Sequence, residues 1–242
     1  MGSMNVFYPV LAALAGYLVG SLSFAVIVSR TMGLSDPRTF GSKNPGATNV
    51  LRSGNKAAAV ITLVLDAAKG WLPVMLVRWF GAPYGLEDGT IAMVGLAAFL
   101  GHVYPVYFRF VGGKGVATAL GVLLGLNAWL GLATLLIWIV MALLFRYSSL
   151  ASIVASLLAP AVYALGGGSL WFVSKSIAAG IIVMTLVLLY RHADNINRLI
   201  KGAESKLGKK TSPSSAGAPA QGAPVHLGAN PARRKGSKKG HH

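Results

Sequence analysis

The chain has 242 residues, of which 54% are hydrophobic and only 12% charged. Soluble domains carry about 25% charged residues, so this composition, with a mean hydropathy of +0.61, excludes an ordinary soluble protein. The net charge is +16, half of the 22 basic residues lie from Arg191 onward, and there is no cysteine, which excludes disulfides and thiolate metal sites.

Apolar runs of spanning length, about 20 residues, follow one another along the chain. They cover residues 6–28, 57–80, 90–101 with its aromatic extension HVYPVYFRF, 116–145, 149–165 and 171–190. The run 116–145 is the ambiguous one, because Gly121, Gly125, Asn127 and Gly131 would let it break into a short helix and a full one. With a break, Arg30, Arg38, Lys43, Arg52, Lys56, Arg109, Lys114, Arg146 and the basic end all fall on one side. The side bearing Glu87 and Asp88 then keeps only Arg78 and Lys175. The tendency of basic loops to stay in the cytoplasm therefore favours the break. The expected fold is an all-α polytopic membrane protein of about seven transmembrane helices, N-terminus outside and C-terminus cytoplasmic. The short fourth helix cannot span unaided unless the bilayer thins or neighbours cover it. Residues 1–207 are expected to form this membrane domain. Residues 208–242, rich in Ser, Ala, Gly, Pro and Lys, are expected to be a disordered tail near anionic lipid, with no nucleic-acid partner. Met1–Ser3 and the closing histidine pair read as processing or tag residues.

With that topology three polar segments meet on the cytoplasmic side. The first, GSKNPGATNVLR at 41–52, offers Ser42, Asn44, Thr48, Asn49 and Arg52 around a turn and a helix start. Hydroxyls and free N–H groups there suit an anion, and Arg52 suits a bidentate phosphate contact. The plainer alternative is helix capping by Ser42 and Thr48, with Arg52 among lipid headgroups. The second, FVGGKGVAT at 110–118, places Lys114 among Gly112, Gly113 and Gly115. Glycines leave backbone N–H groups open to a phosphate, and the lysine adds charge. It is not a nucleotide P-loop. Small-residue helix packing accounts for Gly121 and Gly125 but not for Lys114. The third, RHADNINRLIKGAE at 191–204, sets His192, Asn195 and Arg198 three apart, hence on one side of a helix. His192 could take a proton or donate to a phosphate; an interfacial helix end explains Arg191 and Arg198 but not Asn195. In the second apolar run, Asp66 and Lys69 read as a structural pair ahead of a catalytic one, and His102 as a hydrogen-bonding neighbour of the glycine loop. The six acidic residues are too scattered to build a metal site, and nothing calls for a cofactor.

These three segments, in order and with matching hydrophobic spacing over about residues 6–206, resemble the signature motifs of the bacterial acyl-phosphate:glycerol-3-phosphate acyltransferases, the PlsY family. The resemblance implies seven helices and a cytoplasmic active site. It also implies transfer of a fatty acyl group from acyl phosphate to the 1-hydroxyl of sn-glycerol 3-phosphate in the bacterial inner membrane. The products would be lysophosphatidic acid and phosphate, as the entry to phospholipid synthesis. It places catalytic roles on Ser42, His192 and Asn195, and phosphate binding on Arg52, Lys114, Gly112 and Gly113, to which the reading of the first segment adds Thr48. Glu204 takes a structural role. The partners are the two substrates and the bilayer. The oligomeric state stays open, and a monomer is compatible with it. The basic tail departs from the family pattern. The His-x-x-x-x-Asp pattern of soluble acyltransferases is missing, since the fifth residue after His102 is Tyr107. The rival reading is a transporter of an anionic or phosphorylated solute. Against it, no internal repeat occurs, and the polar residues gather on one face and not at the midplane.

Overall fold

The computed structural model describes residues 4–207; the expected tail, 208–242, lies outside the described residues. The elements are α1 (Met4–Gly20), α2 (Phe24–Thr31), α3 (Ala47–Leu51), α4 (Lys56–Phe80), α5 (Asp88–Val103), α6 (Val116–Leu126), α7 (Ala128–Phe145), α8 (Ser148–Leu165), α9 (Lys175–Arg191) and α10 (Ala193–Ile200). No strand occurs among the described residues. Five segments are long and apolar enough to cross a membrane, and a sixth is added if the bent pair α9–α10 is counted as one span. The first, Val6–Thr31, joins α1 and α2 across a break at Ser21–Ser23.

Burial separates lipid-facing from inward-facing helices. Only 17% of the α7 window is buried, and Leu136, Leu143 and Leu144 point out of the protein. In the segment Asp88–Phe108, which contains α5, the buried share is 44%. Val74, Phe99, Val122, Leu130, Ile181 and Leu188 form the centre of the core, drawn from α4, α5, α6, α7 and α9. With lipid on the outside, burial of apolar surface gives little drive for helix association. Close backbone contact supplies it instead. Gly121 of α6 lies directly against the Ala67 carbonyl of α4, and Gly101 of α5 against the Tyr17 carbonyl of α1, where any Cβ would collide.

The long apolar run does break, at Asn127, and each new helix end is satisfied. Asn127 is extended (φ −158°, ψ 127°), and its side-chain oxygen accepts from the N–H groups of Trp129 and Leu130, capping α7. Arg78, in the last turn of α4, donates to the Gly125 and Leu126 carbonyls at 2.7 and 2.6 Å and so closes α6. The eleven-residue α6 therefore ends inside the membrane domain with its last carbonyls paired.

Two details differ from the sequence expectation. The run beginning at 171 turns helical only at Lys175. Trp171 folds back, stacks on Tyr163 and donates its indole N–H to the Tyr163 carbonyl at 2.8 Å. His192, Asn195 and Arg198 do not lie on one continuous helix. The chain bends by 58° between α9 and α10, with His192 at the bend.

Candidate active site

The segment before α3 is held by a residue the motif reading did not single out for a role. Asn49 is 1% exposed. Its amide NH2 donates to the Pro37 and Phe40 carbonyls at 2.7 and 3.2 Å, and its oxygen accepts from the Ser42 N–H at 3.1 Å. One side chain thus folds residues 37–42 into a collar. Gly41 takes a left-handed φ of +58° directly over the Asn49 oxygen, a place no Cβ could share. The N-cap of α3 is Gly46, so neither Ser42 nor Thr48 is used for capping, and both remain exposed. Arg52, at the C-terminal end of α3, donates from Nη2 to Ser205 Oγ at 2.7 Å. Burial pulls its guanidinium below the ordinary arginine value, and Glu204 acts in the opposite direction.

The glycine loop runs from Val111 to Gly115, between the 3-10 turn Val106–Phe108 and α6. The N–H of Gly113 is committed to the His102 carbonyl at 3.1 Å and is not left for an anion, as the motif alone suggests. The missing side chains serve close packing: a Cβ on Gly112 would strike the His102 and Val103 carbonyls, and one on Gly113 the His102 ring and the Pro45 carbonyl. Arg191 lies over the Tyr104 ring and donates to the Gly112 carbonyl at 3.1 Å. Gly115 adopts φ +86°, the left-handed turn that starts α6. Lys114, between these fixed points, donates to Asn195 Oδ1. Burial lowers the Lys114 pKa to about 8. Glu204 opposes that shift, and Arg198 and Arg191 add to it.

Asn195 joins the second and third segments. Its oxygen takes the Lys114 ammonium, and its NH2 donates to Glu204 Oε1 at 2.7 Å. Lysine only donates and carboxylate only accepts, so these partners fix the amide orientation. Glu204 also accepts from Ser149 at 2.8 Å and Arg198 at 2.7 Å. Burial pushes its pKa up, but the hydrogen bonds from Arg198, Asn195 and Ser149 outweigh it and hold the carboxyl below the ordinary range. His192 is 2% exposed, and its Nδ1 lies 2.9 Å from the Leu188 carbonyl. A carbonyl only accepts, so Nδ1 carries the hydrogen and the neutral ring keeps its lone pair at Nε2.

The structure thus links Lys114, Asn195, Glu204 and Arg198 in one network, with Arg52 held beside it through Ser205, Gly112 and Gly113 next to Lys114 in the chain, Ser42 on the collar and Thr48 on α3. Asp66 and Lys69 stand apart. They pair at 2.8 Å within the bundle, both 2% exposed in their side chains, and Lys69 also donates to the Leu22 carbonyl at 2.6 Å. The motif reading gave no role to Asn49, Arg191, Ser149 or Ser205. Arg191 could be read as an ordinary helix-end cation, and two isolated serines carry no pattern. Among the described residues no cluster of His, Asp and Glu could hold a metal ion.

The chain is similar to known proteins over most of its length. The family model described as "Glycerol-3-phosphate acyltransferase" matches residues 10–202. A protein named glycerol-3-phosphate acyltransferase from Albidiferax ferrireducens is 68% identical, over 86% of this chain and 93% of its own. One of the same name from Janthinobacterium sp. (strain Marseille) is 58% identical, over 83% and 98%. The glycerol 3-phosphate form of PlsY (YgiH), an integral membrane glycerol 3-phosphate acyltransferase, has a TM-score of 0.75 at 38% identity, over 83% of this chain and 96% of that one. Its lysophosphatidic acid form gives 0.74 at 37% identity over the same shares. With a family model across four-fifths of its length, the same helical architecture and its three polar segments gathered at one network, this chain belongs to the glycerol-3-phosphate acyltransferase family.

Proposed function

We propose that this protein transfers a fatty acyl group from acyl phosphate to the 1-hydroxyl of sn-glycerol 3-phosphate. The products are 1-acyl-glycerol 3-phosphate and inorganic phosphate. The family carries the acyltransferase activity, and the solved relatives are a glycerol 3-phosphate form and a lysophosphatidic acid form. The observation in this chain that carries the reading is the gathering of Arg52, Lys114 and Arg198 around Glu204, with Arg191 and the more distant Asp194 also acting on Lys114. That cluster has surplus positive charge, which phosphate-bearing substrates would balance.

In this reading Arg52 holds the phosphate of glycerol 3-phosphate, and Ser42 on the collar and Thr48 on α3 orient the acceptor. Lys114, on the frame of Gly112 and Gly113, serves the donor's phosphate, and the two phosphates can share it. Asn195 aims Lys114, and Glu204 with Ser149 fixes Asn195. The acceptor hydroxyl attacks the acyl carbonyl carbon. A C–O bond forms to the glycerol oxygen, and the bond from that carbon to the phosphate oxygen breaks, the electron pair leaving with phosphate. An acyl phosphate is already activated, so no acyl-enzyme is required; the protein supplies position and charge stabilisation. The hydroxyl proton goes to His192 Nε2 or to the departing phosphate. His192→Ala distinguishes the two: a general base contributes about 10²–10⁴-fold to turnover, whereas a packing role leaves kcat nearly unchanged.

The proposal extends to placement. The polar network faces the cytoplasm of a bacterial inner membrane, α6 is the short fourth of seven crossings, and the N-terminus lies outside. Residues 1–207 form the acyltransferase domain, and 208–242 are a tail not needed for activity. Basic residues on the loops beside the network support this orientation. The test uses purified protein in detergent. Lysophosphatidic acid and phosphate should appear in equal amounts, and only when acyl phosphate and glycerol 3-phosphate are both present. Phosphate release that ignores the acceptor would overturn the reading.

A further inference from the structure

The sequence offers His102 as a neighbour of the glycine loop, and the reaction as written makes no use of it. Three contacts converge on this one residue. Its backbone carbonyl accepts the Gly113 N–H at 3.1 Å. Its ring packs on Gly113 so closely that a Cβ there would collide with Nε2. Its Nδ1 lies 3.1 Å from Thr118 Oγ1 and 3.6 Å from Asp66 Oδ1. Thr118 is fully buried in the first turn of α6. His102 therefore grips the chain on both sides of Lys114, the loop at Gly113 before it and the first turn of α6 at Thr118 after it. The grip is in turn anchored. Asp66 is paired with Lys69, and Lys69 is tied to the Leu22 carbonyl at the break between α1 and α2.

We infer that His102 is a positioning residue for acyl transfer: by clamping Gly113 and Thr118 it fixes the loop that aims Lys114, with the Asp66–Lys69 pair as its fixed support. This rests on the reading of Lys114 as a substrate-binding cation. Lys114 carries its charge at the end of four rotatable bonds, so its aim depends on the backbone from which it springs. Arg191 holds only the Gly112 carbonyl, on one side of Lys114. His102 is the contact that spans both sides, and substrate affinity at Lys114 should follow it.

The experiment is steady-state kinetics with each substrate varied in turn, on folded protein checked by thermal unfolding. His102→Leu removes the polar ring, and His102→Asn keeps a polar atom near the Nδ1 position. Thr118→Val removes the hydroxyl with little change of shape, and Thr118→Ser keeps it. The expected result is a KM about tenfold higher for one substrate only in His102→Leu and in Thr118→Val, the size of one lost hydrogen bond within its usual range. It should be the same substrate whose KM rises in Lys114→Arg, with His102→Asn and Thr118→Ser close to wild type. Unchanged constants overturn the inference. So does an equal loss for both substrates, or the failure of both His102→Leu and Thr118→Val to fold, because each makes the contacts structural only. A wild-type protein inactive with both substrates would instead remove the acyltransferase reading itself.

Discussion

Two of the carboxylate–cation assemblies among the described residues are built on opposite terms. Asp66 and Lys69 form a closed pair in the bundle, one charge against one, each side chain 2% exposed and Lys69 further satisfied by the Leu22 carbonyl. Glu204 sits at the edge of the domain with one negative charge facing Arg52, Lys114 and Arg198, the last 43% exposed. A balanced, sealed pair has nothing to offer a ligand. An unbalanced cluster with an open side keeps cations under-neutralised until an anion arrives. Charge balance, more than the presence of charge, separates the sealed carboxylate from the one in the proposed binding site.

The largest expected effect comes from breaking the closed pair. Removing one partner of a buried ion pair strands the other, at a cost of about 3–5 kcal/mol. Lys69→Met should therefore lower the unfolding temperature in detergent strongly. The double change Asp66→Asn with Lys69→Met should recover most of the loss. If the single variant melts like wild type, the pair is not sealed and the contrast fails.

The open cluster should behave in the reverse way, with large losses of activity and small losses of stability. Arg52→Lys keeps the charge but loses the planar fork, and it also loses the reach to Ser205. A charge-assisted hydrogen bond is worth about 1.5–3 kcal/mol, so kcat/KM for glycerol 3-phosphate should fall roughly ten- to a hundredfold. Thermal unfolding should barely move. Wild-type constants for this variant would take the phosphate from Arg52.

The same contrast explains what the sequence revealed. Asp66 and Lys69 are three apart on one helix, so their pairing follows from helical geometry and could be read directly. A break in the run 116–145 was legible because the charge distribution favoured it and Gly121, Gly125, Asn127 and Gly131 permit it. Ser42, Arg52, Lys114 and Asn195 were legible as motif members. Their connections were not, because these depend on long-range contacts such as Arg52 with Ser205 and Ser149 with Glu204. The bend at His192 escaped as well: a spacing of three reads as one helical face, and no proline or glycine in 189–195 announces the turn. The Gly113 N–H looked free because a glycine motif shows where a ligand can approach, not which amide the fold has already used.

The smallest expected effect concerns the charge on Lys114. Burial lowers its pKa to about 8, with Arg198 and Arg191 adding to the shift against Glu204. The sign follows for a base whose folded value lies below its unfolded one. The ammonium is present below about pH 8 and is lost as pH rises past it. An incoming phosphate restores the charge, so binding above that pH must take up a proton. The KM of the substrate served by Lys114 should then rise by up to about tenfold for each further pH unit, while the other substrate's KM changes less. In the free protein the same shift works against folding while the lysine is charged, so Lys114→Met should not lower, and should modestly raise, thermal stability at neutral pH. Lys114→Arg should flatten the alkaline rise, because a guanidinium stays protonated throughout this range. Measured pH profiles of KM for each substrate, beside melting curves of the two variants, decide the matter. A flat wild-type profile from pH 7 to about 9.5, across the shift that burial imposes, would show that Lys114 keeps its proton throughout, and the distinction between the open and closed assemblies would lose its physical basis.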